Sequence, residues 1–120
     1  MNISRLKKAL AKSWSRETSA DPDKWSGKNP AWGQCAVTAL VVQDYFGGEL
    51  LRTAVETNGE KISHYWNKLP NGKEADLTRG QFAEETTVPE GEPRTREYVL
   101  SYPATARRYE ILKKTVREKI

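Results

Sequence analysis

At 120 residues the chain has the length of one domain. It would bury roughly two thirds of its unfolded surface, enough for a core without disulfides or metals. Its single cysteine excludes an internal disulfide, and one cysteine with one histidine argues against a zinc site, so no cofactor or metal is expected. A net charge of +4 does not by itself imply a polyanionic partner; with no apolar leader and no long apolar span, the expectation is a cytoplasmic chain without a membrane partner.

Ile3, Leu6, Leu10 and Trp14 recur at helical spacing with Lys7, Lys8 and Lys12 between them, which predicts an amphipathic N-terminal helix on the core. Residues 21–29 are polar and turn-like. The run Asn29-Pro30-Ala31-Trp32-Gly33 then delivers the chain to a helix over 34–46. Ala36, Val37, Ala39, Leu40, Val41, Val42, Tyr45 and Phe46 make that helix apolar nearly all round, the mark of a buried element, and Gly47-Gly48 ends it. Cys35 falls in its first turn, where unpaired amides point outward.

Two turns set a sheet register. Asn58-Gly59 is a two-residue hairpin signal between strands at 49–57 and 62–69, pairing Val55 with Ile62 and Thr53 with His64. Pro70-Asn71-Gly72 suits a type I turn with Gly72 left-handed and a G1 bulge, and counting outward pairs Leu69 with Lys73, Trp66 with Asp76 and His64 with Thr78. A third strand at 74–78 then puts His64 and Asp76 on one face, diagonal neighbours about 7–8 Å apart at Cα. That face carries Leu51, Val55, Ile62 and Trp66 around a polar strip of Thr53, His64, Asp76 and Thr78, and is expected to meet the helix. The other face, with Leu50, Arg52, Glu56, Ser63, Tyr65, Asn67 and Leu77, is more mixed.

Residues 88–93, with Pro89, Gly91 and Pro93, read as a loop. A closing helix begins at about Pro103, with Ala106, Tyr109, Leu112 and Val116 on one side and Arg107, Arg108, Lys113, Lys114, Arg117 and Lys119 outside. The expected fold is a single α+β domain over 1–120: a central buried helix on a three-stranded antiparallel sheet, flanked by N- and C-terminal helices.

Cys35, His64 and Asp76 have the types and order of a thiol nucleophile, its base and an orienting carboxylate. A thiol attacks as thiolate, and both helix amides and a histidine held by Asp76 would favour that form. The Cys35 amide, with the side chain of Gln34 or Asn29, is a candidate oxyanion donor, and Trp32 and Trp66 are candidate substrate contacts. Asn67 and Glu74 are alternatives to Asp76. The reading is a cysteine-dependent hydrolase or acyltransferase acting on an acyl- or amide-type substrate.

The competing reading is a non-catalytic binding or adaptor domain. Cys35 is then a small buried hydrophobe, His64 is satisfied by a hydrogen bond, and a protein partner uses Arg94, Arg96 or the basic C-terminal helix. A basic stripe also tracks phosphates, but Glu110 and Glu118 interrupt this one and no nucleic-acid motif accompanies it.

The runs NPAWGQCAVTALVVQDYFGG, SHYWNKLPNGKEADLTRGQF and RTREYVLSYPATARRYEIL resemble the YunG family of small bacterial proteins over most of the chain. That resemblance implies shared structure. More distantly, a cysteine at a helix start, a histidine on a strand and an aspartate on the next strand is similar to papain-like and transglutaminase-like enzymes. The similarity implies a helix against an antiparallel sheet and thiol acyl transfer. Gln34 lies next to Cys35, whereas papain-like proteases carry their glutamine several residues upstream.

Overall fold

The computed structural model describes residues 1–120. Asn2 starts α1 (Ile3–Ser13), its side-chain oxygen accepting from the Arg5 amide at 2.8 Å, and the helix buries Leu6, Ala9 and Leu10 as its spacing requires. Trp14 ends α1 and donates through Nε1 to Thr38 on the next long helix, 2.9 Å away. That helix, α2 (Cys35–Phe46), buries a continuous run from Val37 to Val42, and Gly47 closes it at φ 73°.

Four strands follow in the sheet order β3-β2-β1-β4: β1 (Glu49–Thr57), β2 (Glu60–Lys68), β3 (Glu74–Ala75) and β4 (Glu92–Arg94). Asn58 and Gly59 both take positive φ, as the two-residue turn demands, and Thr53 lies opposite His64 with Val55 opposite Ile62. The second turn also holds: Gly72 has φ 86° and bonds the Leu69 carbonyl, and Asn67 pairs with Ala75 in the register counted from it.

Three expectations need correction. The third strand stops at Ala75, because Asp76 turns its carboxylate on the chain just beyond it: Oδ1 accepts from the Thr78 amide at 3.3 Å, and a 3₁₀ turn over Arg79–Gln81 follows. The sheet has four strands rather than three, since part of the Pro-rich loop pairs with β1, Pro93 opposite Leu51. An edge strand tolerates a proline because one side of it needs no donor.

The helix also lies on the other face of the sheet. Leu50 joins the core of α2, Tyr65, Leu69 and Leu77 pack against that core, and Asn67 Nδ2 donates to the Ala39 carbonyl at 2.9 Å. Leu51, Val55 and Trp66, on the face expected to meet the helix, are buried as well, with the segment 79–91 lying over Leu51, His64 and Trp66. Gly91 comes so close that a Cβ there would sit 2.6 Å from the Trp66 indole and 3.0 Å from Leu51. Both faces are therefore covered, and their relative apolarity did not decide which one the helix takes.

A short α3 (Arg96–Leu100), capped by Thr95, leads to α4 (Pro103–Lys119), whose Tyr109, Leu112 and Val116 complete the core between α1 and α2. Arg96 bonds Asp44, Gln43, the Leu40 carbonyl and the Tyr109 hydroxyl, so it anchors the end of α2 and is not free for a partner. Burial and the bond to Asp44 push the Tyr109 phenol up to about 12. No helix is long and apolar enough to cross a membrane.

Candidate active site

Because β3 is only two residues long and pairs only with Asn67 and Lys68, the earlier part of β2 has a free edge, and the start of α2 comes to that edge at Ser63. Cys35 is the first residue of α2, and its thiol donates to the Ser63 carbonyl at 3.6 Å, where the missing strand would have bonded. His64 projects from the other face of β2 and is fully buried, its ring stacked on Trp66 (centroids 5.4 Å apart) and met edge-on by Phe82 (5.0 Å). Thiol and imidazole thus approach each other around a strand edge.

His64 Nε2 is 2.6 Å from Asp76 Oδ2. Its other nitrogen, Nδ1, is buried without a hydrogen-bond partner, which leaves it as the ring atom available to the thiol. Burial by itself would lower the imidazole, but the Asp76 carboxylate and the neighbouring Cys35 sulfur outweigh it, and His64 is raised from 6.5 to about 9. Its charged form is thereby favoured.

Asp76 is itself held. Its Oδ1 accepts from the Thr78 hydroxyl at 3.4 Å, Gln81 Nε2 donates to that hydroxyl at 3.2 Å, and Gln81 Oε1 accepts from the Gly33 amide at 3.2 Å. A polar chain thus runs from the carboxylate back to the loop that precedes Cys35. Gln81 was not singled out from sequence, and its only signal was its place in a polar run after the aspartate. Gly33 adopts φ 74° beside the Ser19 side chain and the Ala20 backbone, where a Cβ would come within 2.9 Å of the Ala20 nitrogen.

The other nominated residues have their donors engaged elsewhere. Gln34 is fully buried, with Nε2 on the Ser15 carbonyl at 2.9 Å, and Asn29 Nδ2 bonds the Gln81 carbonyl at 3.0 Å. Trp32 Nε1 bonds Asp21 at 3.1 Å and Trp66 Nε1 bonds Glu74 at 2.7 Å. Those contacts also occupy Glu74, and Asn67 lies on the α2 face, so Asp76 alone reaches His64. The backbone amides of Cys35, Ala36 and Val37 donate to no protein acceptor, and no side chain caps the helix.

Cys35 opens onto a cleft of about 380 Å³ between the sheet and the α3–α4 region, lined also by Arg52, Tyr65, Tyr98, Tyr102 and Arg108. His64 and Asp76 do not line it; Cys35 is the member of the trio that does. No cluster of side chains suited to a metal ion is present.

No solved structure matches this fold. The chain is 41% identical over 80 residues to a Bacillus subtilis (strain 168) protein named "Uncharacterized protein YunG", covering 67% of this chain and 63% of that one. The aligned length thus spans less than two thirds of the curated relative. A family model described as "YunG protein" matches residues 2–120, so nearly every element just described falls inside the match, and the chain belongs to the YunG family.

Proposed function

We propose that the protein is a cysteine-dependent hydrolase or acyltransferase. The observation that carries the reading is the fully buried His64, bonded to Asp76 through one nitrogen, with the other unpartnered beside a thiol at a helix start. In the proposed reaction the sulfur enters as thiolate, its proton released from the Ser63 carbonyl to solvent, beside the His64 imidazolium. Cys35 Sγ attacks the carbonyl carbon of an ester or amide, and the oxyanion is met by the free amides at the start of α2. His64 then gives its proton to the leaving oxygen or nitrogen as the C–O or C–N bond breaks, leaving a thioester on Cys35. Water or a second nucleophile cleaves that thioester and returns the enzyme. Papain-like and transglutaminase-like enzymes share this order of parts, and the similarity supports the reading.

Alkylation by iodoacetamide across pH tests it. The expected rate is already high between pH 6 and 8 and falls in Asp76→Asn, and a 4-nitrophenyl ester acylates wild type but not Cys35→Ser. Labelling only under denaturant, or a wild-type rate that rises only above pH 8, would sink the proposal. A binding domain would then be the better reading. The observation favouring it is the outer surface of α4, where Arg107, Lys114, Arg117 and Lys119 are exposed.

A further inference from the structure

The cleft at Cys35 is cationic. Arg52 and Arg108 both line it, no carboxylate does, and neither guanidinium makes an ion pair anywhere in the molecule. Arg52 spends only Nε, on the Ser63 hydroxyl at 3.0 Å, and so stands on the same residue whose carbonyl receives the Cys35 thiol. Arg108 gives one Nη2 bond to Thr105 at 3.3 Å, and its Nε is buried with no partner at all.

A half-buried cation without an acid is costly, and a buried donor left unpaired adds to the cost. Burial accordingly lowers Arg108 from its usual value. Around the two cations stand three phenols, Tyr65, Tyr98 and Tyr102, the latter two with hydroxyls 3.2 Å apart. Planar guanidinium groups with free N–H edges match the oxygens of carboxylates and phosphates.

We propose that the cleft selects an acyl or amide donor bearing an anionic group, a carboxylate or a phosphate, which Arg52 and Arg108 hold while the carbonyl lies at Cys35. The proposal rests on the thiol-nucleophile reading and adds the substrate class to it. The phenols would bound the donor and supply hydroxyls to its remaining polar atoms.

Paired haloacetates test the two readings separately. Iodoacetate and iodoacetamide carry out the same alkylation and differ in charge. The ratio of their rates at Cys35, relative to that for 2-mercaptoethanol under the same conditions, is expected to rise by about tenfold, within the range by which charged clefts concentrate opposite charge. It should fall back in 1 M salt. Arg52→Gln and Arg108→Gln each return the ratio toward the mercaptoethanol value. Arg107→Gln, one residue away and outside the cleft, leaves it raised. Whichever of succinate and inorganic phosphate protects Cys35 at the lower concentration identifies the anion. Labelling by both reagents at the mercaptoethanol ratio overturns the anion site while leaving the nucleophile standing. No labelling by either overturns both.

Discussion

The two faces of the sheet are both closed to water, but by different materials. On one, α2 and α4 bring Leu40, Val41, Leu112 and Val116 onto Leu50, with little polar except Asn67, which is matched to one carbonyl. On the other, the segment 79–91 lays Phe82 and Gly91 over His64, Trp66 and Leu51, and buries its own Gln81 together with Thr78. The first face makes its stability from apolar area. The second keeps buried polar groups in one connected chain that ends at His64 Nδ1, which has no partner. Substitutions on the two faces should accordingly differ in kind.

The largest loss is expected from Leu112→Ala, which empties the helix-side core: about 2–5 kcal/mol by denaturant melts, with the pH dependence of stability unchanged. A variant of normal stability would show that this face is not the principal core.

The sheet's other face should respond to pH. His64 is raised from 6.5 to about 9, so its contribution is complete below pH 6.5 and disappears as pH climbs through 9. The shift corresponds to stability on the order of 3 kcal/mol. Melts of wild type between pH 6 and 10 should decline across that window. Asp76→Asn should cost about 1–3 kcal/mol at pH 6.5, as loss of a partner from a buried bonded group does, and should flatten the decline. Equal pH slopes in the two proteins would mean that the carboxylate does not hold the imidazolium.

The smallest effect belongs to Cys35→Ser. The fold should be retained, with a change of less than about 1 kcal/mol, because an oxygen can still donate to the Ser63 carbonyl. A large loss would move the cysteine from the reactive side of the comparison to the structural one.

The parts legible in the sequence were those fixed by turn chemistry. Asn58-Gly59 and Pro70-Asn71-Gly72 leave few registers open, and from them the pairing of Thr53 with His64 and the diagonal approach of Asp76 follow by counting. What could not be counted was decided by competition between neighbours. Asp76 reads as one more strand residue, yet its short carboxylate accepts from the Thr78 amide two residues on, and β3 stops. The choice of face was hidden because Trp66 and Leu51 are as apolar as a helix-facing pair should be, and nothing local says that Gly91 will cover them. Gln81 was missed for a related reason: its partner, Gly33, is 48 residues away.

Those separations also order the site in time. The His64–Asp76 bond closes a span of 12 residues, much of it a hairpin; the Cys35–Ser63 contact closes 28, and the Gly33–Gln81 bond 48. Loop-closure entropy grows with span, so a condensing chain is expected to set the imidazole against its carboxylate first and to latch the loop before the cysteine last. Until the Cys35–Ser63 contact forms, the His64–Asp76 pair stands beside a strand edge with no sulfur on it. Placement of the proposed nucleophile is thereby tied to completion of the fold.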